Sequence, residues 1–593
     1  MFNYTKKEMI AALQNVGIAT GDIVLFYLSL GMLGLGEGVT SQERMNELFL
    51  ECAREALGPE GTILIPCYSY SLCKGELFDA DSTPGTIGPF PEFFRNQPQV
   101  IRSKEPILSI CGQGPAAQDL FHNLPKTTYG RESVYERLIE NKAKICTVGL
   151  RLNWATYRHY IEEIAEVPFR YRKYFRGPVL KDGKICEEQW TYSVRLWPEN
   201  ADPDGIRLAE MAVADGVCSS VRLGRNSIYC IEAGEYFEYA CKQFKKDPWL
   251  SAKGPAADPI ELEENRVPVK KYNISINPDA SLQEIVDTLT PLPRHVMSDA
   301  YNSALNSLSK AAPLEIHDFY TGAEGLNLIV PEKWTCHEAS LTSADGVAIS
   351  SHDNPLHVGG HSTSFEGNLS WDELSEHLVT GEKNYLPLTS NINRPTWSFA
   401  VSDDQKKKMA GQSCSVSIKA DFSFNKMRIG EINVKGKSDK TILLATYLDG
   451  ACVNNKGLYG VSCGIELMRC LQKRKELNHS YKLLIMPHNF GPDLWLKQHK
   501  DTLPSACLNL EMDSWADLSV ATKPHPWFNR IECDDCLPSS EDTAAFQTTG
   551  VPAFSLVSQG KTRKAEETVS QLLKIIDNFE GTGLTGPDHP AKS

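Results

Sequence analysis

The sequence predicts an α/β fold in two domains, and three observations carry that expectation. At 593 residues the chain is too long for one hydrophobic core. Across residues 1–250, short apolar runs alternate with amphipathic helical segments, the α/β pattern. The same alternation resumes in the second half, after a stretch in which periodicity lapses.

The elements follow in order. Ile23 to Tyr27 and Gly61 to Pro66 read as buried strands, and Ser41 to Leu57 between them reads as an amphipathic helix. Ala143 to Gly149 is a further buried strand. After Thr156, a good N-cap residue, the chain has neither Gly nor Pro until Pro168, which predicts a helix. Periodicity lapses from Trp249 to Pro278, where Gly254-Pro255 and dense charge from Glu261 to Lys271 indicate a linker. The expected division is a first domain at 1–260, a linker at 261–280 and a second α/β domain at 281–580. The second carries a β-rich portion near 314–361, then a strand at Thr441 to Thr446, a helix at Gly460 to Arg474 and a strand at Tyr481 to Met486. The tail at 581–593 is expected to be disordered.

Composition narrows the function. A net charge of −14 argues against nonspecific nucleic-acid binding, which needs a basic surface. Met1 to Lys7 is polar, and the apolar run from Ile23 to Leu35 is broken by Gly31 and Gly34 and too short to span a bilayer. With no targeting signal expected, the 17 cysteines fit reduced thiols of a cytoplasmic protein. The Cys533/Cys536 pair has no second pair at zinc-ribbon spacing, and its acidic neighbours raise rather than lower a thiol pKa.

The strongest chemical signal lies in the helix after Thr156. His159 and Glu162 share one face at i, i+3 spacing, just beyond the end of a strand, where α/β sheets build sites. A neutral imidazole near a helix start is suited to act as a general base. Downstream, Arg170, Arg172, Lys173 and Arg176 interleave with Phe169, Tyr171, Tyr174 and Phe175. Such a stretch can clamp phosphates through Arg170 and Arg172 and stack a base on a ring; a strand with snorkelling Arg stems has the same appearance.

Five ordered blocks resemble the aminoglycoside 3-N-acetyltransferase family: Ile23 to Gly34, Gly61 to Glu92, Arg102 to Ser109, Thr156 to Glu162, and Val221 to Gly224. The resemblance implies acyl transfer from a thioester to an amine. His159 is then the base that keeps the amine neutral, and Glu162 positions or polarises it. It further implies that Ser29, Leu30, Gly31, Gly34, Arg102 and Ser103 bind acyl-CoA, with backbone N–H groups from Ser29 to Gly34 stabilising the oxyanion. Tyr27, Glu105 and Thr156 would line the acceptor pocket. Tyr27 and Glu105 stand where the family has histidines, which puts an aminoglycoside acceptor in doubt.

Residues 281–560 resemble the di-zinc aminopeptidases, through Val330 to Trp334, Leu356 to Val358, Tyr385 to Ser390, Trp397 to Phe399, Thr441 to Thr446 and Glu541 to Ala553. Aligned on those blocks, the metal-ligand positions fall on Tyr447, Lys456, His488 and Glu511, with no closing histidine after Gln559. A lysine at the bridging position puts a cation where zinc would sit, so no metal is expected. The two parts together resemble the two-domain nucleotide-sugar N-acyltransferases of the anthrose-pathway type. That resemblance implies acetyl-CoA or a short hydroxyacyl-CoA as donor and a dTDP-4-amino-4,6-dideoxy sugar as acceptor. It also implies a homo-oligomer with small-molecule substrates, no nucleic acid and no membrane. The alternatives are an aminoglycoside 3-N-acetyltransferase and a zinc aminopeptidase.

Overall fold

The computed structural model describes residues 2–352, 354–381, 390–450, 457–520 and 541–581. The chain divides into two compact units, Met1–Arg266 with Asn393–Pro395, and the remainder from Val267. Each has its own sheet and its own core, which is the α/β architecture expected from the alternating pattern.

In the first unit the strands are β1 Ile23–Leu28, β2 Thr62–Pro66, β3 Ile101–Arg102, β4 Ile110–Gln113, β5 Lys144–Val148, β6 Arg170–Lys181, β7 Lys184–Arg195, β8 Ser219–Leu223 and β9 Asn226–Glu232. Seven of them form one sheet in the order β3-β4-β2-β1-β5-β9-β8. β1 is central and pairs in parallel with β2 and β5, so it is covered on both faces; this is why Val24 to Phe26 are wholly apolar and buried. Phe26 packs edge-on to Phe49, and Phe49 edge-on to Phe90, with centroids 5.5 and 5.2 Å apart. Phe49 belongs to the Gln42–Leu57 helix, capped by the Ser41 hydroxyl. Strands β6 and β7 make a separate two-stranded ribbon.

In the second unit, β10 Glu315–Tyr320 is followed by β11 Lys333–Ser343, β12 Ala348–Ser350, β13 Phe365–Leu369, β14 Leu378–Thr380 and β15 Phe399–Val401. Then come β16 Cys414–Ser423, β17 Lys426–Val434, β18 Thr441–Tyr447, β19 Ser480–Met486, β20 Ala506–Glu511, β21 Ala516–Val520 and β22 Ala553–Thr562. The main sheet runs β10-β17-β19-β18-β20-β22-β21, with β19, β18, β20 and β22 parallel.

Three expectations are corrected here. The β-rich portion does not stop near residue 361: its four-stranded sheet β12-β11-β16-β13 extends to Ser423, because the main partner of β11 is β16, a long-range pairing that local periodicity does not carry. β10, inside the expected portion, instead pairs with β17 in the main sheet. The expected linker contains a helix, Pro259–Arg266, whose Glu263 is buried and accepts from the Trp197 N–H at 2.9 Å. The tail from residue 582, Lys456 and the Cys533/Cys536 pair lie outside the described residues. Among the described residues no helix is long and apolar enough to cross a membrane, and every cysteine is a free thiol.

Candidate active site

The loops leaving the parallel neighbours β1 and β5 meet at the carboxyl end of the sheet. A Cβ on Gly149 would lie 2.3 Å from the Ser29 carbonyl oxygen and 3.5 Å from Leu33, and Gly149 has φ +70°, so glycine is required at that approach. The β1 loop forms a single 3-10 turn, Leu30–Leu33, and the β5 loop leads through Leu152–Trp154 into the helix Tyr157–Ile164.

That helix starts differently from expectation. The Thr156 side chain makes no cap to it. The Tyr27 hydroxyl takes the capping role from another strand, accepting from the Tyr157 N–H at 3.0 Å. Tyr27 thus anchors the start of the helix that carries His159 and Glu162.

His159 and Glu162 are brought together as their spacing implied, with Nδ1 to Oε2 at 2.6 Å. Glu162 is 1% exposed and accepts four groups: His159, Arg158 Nε at 2.8 Å, Arg170 Nε at 2.5 Å and the Ser251 hydroxyl at 2.6 Å. Burial opposes its charge, but Arg170, His159 and Arg158 together hold the carboxyl well below the usual range. Both oxygens of Glu162 are therefore occupied by protein groups, an arrangement that can orient the imidazole. His159 keeps 17% of its side chain exposed. Burial and the Arg170 charge pull its pKa down to about 4, against the upward pull of Glu162, so the ring is neutral at physiological pH. This carboxylate–imidazole pair has the form of an oriented general base.

The proposed phosphate clamp is not what the structure builds. Arg170 is 6% exposed and spent on Glu162 and the Ser193 carbonyl, 3.1 Å away; Arg172 donates to Glu163 Oε1 at 2.8 Å. Both lie on one face of β6 by strand alternation, turned to the acids of the helix. Arg102 and Ser103 are likewise committed. Arg102 ties down the carbonyls of Cys67 and Thr83 and the Ser109 hydroxyl, and buried Ser103 accepts from the Ile110 N–H. Glu105 is buried, accepts from the N–H groups of Ile107 and Leu108 and the Thr128 hydroxyl, and is pushed up to about 7 by burial. In the β1 turn, the N–H groups of Ser29, Met32 and Gly34 are spent on backbone carbonyls, which leaves Leu30 and Gly31 as candidate oxyanion donors.

Ser251 and Arg158 were missed. Arg158 stands four residues before Glu162 and was open to the same helical-spacing argument. Ser251 fell in the stretch where periodicity lapses, and no local signal joins it to a carboxylate 89 positions away.

In the second unit, Tyr447 ends β18, is buried, and stacks on His488 at 4.0 Å. His488 is held by Asp449, whose Oδ1 lies 2.8 Å from its Nδ1 and accepts its N–H. Glu511 accepts from Asn509 and from the Ser555 hydroxyl at 2.9 Å. A buried phenol at the first ligand position does not suit zinc, which takes deprotonated N, O or S donors. Among the described residues one other trio, Glu315, His317 and Glu431, brings potential ligand atoms within 4.8 Å of one another, but the Lys482 ammonium already pairs with Glu431.

The first unit thus sets a partly exposed histidine against a buried carboxylate beyond the carboxyl end of its sheet, an arrangement that can transfer a proton. Residues 37–245 match the family model described as aminoglycoside 3-N-acetyltransferase, and residues 283–519 match a domain of unknown function. A protein of Clostridium acetobutylicum, provisionally described as a polysaccharide biosynthesis protein with an aminopeptidase-like domain, is 24% identical over 256 residues, 43% of this chain and 59% of its own length. The match thus spans about three-fifths of that relative. Aminoglycoside N(3)-acetyltransferase IX of Micromonospora chalcea is 22% identical over 280 residues, covering 42% of this chain and 94% of the enzyme. A solved structure from C. acetobutylicum, provisionally described as a peptidase, superposes at a TM-score of 0.44 and 19% identity, covering 50% of this chain and 80% of that one. The chain is thus similar over residues 37–245 to the aminoglycoside 3-N-acetyltransferases and over residues 283–519 to a domain of unknown function.

Proposed function

We propose that the protein is an N-acyltransferase that moves an acyl group from acyl-CoA to the amino group of a nucleotide-linked amino-dideoxy sugar, with His159 as general base. The observation that carries this reading is the neutral, partly exposed imidazole oriented by buried Glu162 at the carboxyl end of a parallel sheet. Amine attack on the thioester carbonyl forms the C–N bond, the C–S bond breaks, and His159 carries the amine proton toward the departing thiolate. The Leu30 and Gly31 N–H groups would meet the developing oxyanion. Met32, Leu35 and Trp154 are exposed apolar residues of the same two loops, and they offer the acyl and pantetheine chains a surface.

The acceptor follows from charge. The carboxylates built into the site, Glu162, Glu163 and Glu105, are each occupied by protein donors. A polycationic aminoglycoside finds no carboxylate among them to pair with. The polysaccharide-synthesis description of the Clostridium relative supports a sugar acceptor. With Arg170 buried, a diphosphate would rely on the more exposed Arg176 further along β6, 45% exposed beside Glu187.

Thiol release from acetyl-CoA and 3-hydroxybutyryl-CoA, each against a dTDP-4-amino-4,6-dideoxy sugar and an aminoglycoside, tests the reading. Release with the nucleotide sugar alone is expected, with His159→Ala lowering kcat by roughly two to four orders of magnitude. Release with the aminoglycoside alone would restore that acceptor, and full turnover by His159→Ala would remove the base.

A further inference from the structure

The Nδ1 atom of His159 has two neighbours with incompatible demands. Glu162 Oε2, at 2.6 Å, is an ionised acceptor and requires a proton on Nδ1. Arg170 Nη2, also at 2.6 Å, belongs to a group that only donates and requires a lone pair there. One nitrogen cannot serve both. With the proton on Nδ1, Nε2 carries the lone pair and takes a proton from the amine. With Arg170 donating to Nδ1, the proton sits on Nε2 and the ring is a donor, not a base.

Arg170 is fixed in this contest. Its Nε is held by Glu162 and its Nη1 by the Ser193 carbonyl on β7, so the planar fork has little freedom to turn. The charged groups facing His159 are Glu162 and Arg158 from its own helix and Arg170 from β6. Arg158 engages the other carboxylate oxygen, so the Glu162 charge is shared between two guanidiniums before the imidazole draws on it.

We propose that Arg170 is a positioning residue: it competes with Glu162 for His159 Nδ1 and keeps the ring uncharged, so that the base-competent tautomer is the one in which Glu162 holds the Nδ1 proton. The proposal rests on His159 being the base and adds what controls it. The amine proton that reaches Nε2 creates an imidazolium beside a guanidinium. That repulsion drives the proton onward to the CoA thiolate, and the ring returns to neutral as the C–S bond breaks.

The test is ¹⁵N NMR of histidine-labelled full-length protein, with the His159 signals assigned by their loss in His159→Gln. In the wild type the ring is expected to stay neutral from pH 8 to below pH 5; protonation with a midpoint above 6 would overturn the proposal without any variant. In Arg170→Gln the midpoint is expected to rise by a pH unit or more, the Nδ1 and Nε2 shifts to move toward the Nδ1–H tautomer, and the acid limb of kcat/KM to rise with them. Arg170→Lys should restore the low midpoint. Coincident titrations for wild type and Arg170→Gln, or no restoration by Arg170→Lys, would refute the role. Because the NMR readout needs no turnover, it separates this failure from failure of the base assignment, which is read from thiol release by His159→Gln.

Discussion

Glu105 shows how much a single buried group reports. It stands where the resemblance has a histidine, and rather than facing substrate it folds back on the Pro106 to Ser109 turn through two N–H donors and a hydroxyl. Those donors favour the carboxylate, yet burial outweighs them and its pKa rises from 4.5 to about 7. The native state then binds more protons than the unfolded chain between those values. Its stabilising share is complete below pH 4.5 and is lost as pH rises to 7, at up to about 1.4 kcal/mol per pH unit. Replacing Glu105 with Gln should flatten that slope, measured by denaturant unfolding at pH 5 and pH 7; an unchanged slope would place the titration elsewhere.

At the level of elements, the Tyr157–Ile164 helix was legible in outline, and so was its key pair, because i, i+3 spacing survives any tertiary context. Its start was not. Thr156 has the right chemistry for a cap, but the Tyr27 hydroxyl, 130 positions away, occupies that role. Tyr27→Phe should leave a buried N–H unmet and cost about 1–3 kcal/mol in unfolding free energy, with a lower kcat as the first helical turn frays. Stability within a few tenths of wild type would show that water caps the helix equally well. For strand β6 the sequence left two readings open for a related reason. Its alternating cations were visible, but the acids that absorb Arg170 and Arg172 lie on a helix whose packing against the strand is tertiary information. The eight- and nine-residue separations from Glu162 and Glu163, combined with period two, were the available hint.

For the molecule as a whole, the alternation of strands and helices sufficed for the α/β class and for two domains. Long-range strand pairing set what it could not supply, as β16 did by closing the second unit's smaller sheet. The second unit keeps ordered polar residues at the carboxyl ends of its parallel strands, with Asp449 bracing His488 beneath Tyr447. Since that set does not suit zinc, incubation with EDTA should leave thiol release unchanged. A loss that Zn²⁺ reverses would assign the second unit a metal-dependent part in the reaction.

The Ser251 hydroxyl closes the shell around Glu162 from 89 positions downstream. A chain emerging from the ribosome therefore has His159, its helix and the β6 arginines before it has the last donor that fixes the Glu162 carboxylate. Domains fold as units during synthesis, so the site matures only once the final stretch of the first unit has cleared the exit tunnel. Until then Glu162 lacks one of its four partners. The order of synthesis thereby delays the complete shell around Glu162 until the segment carrying Ser251 has been made.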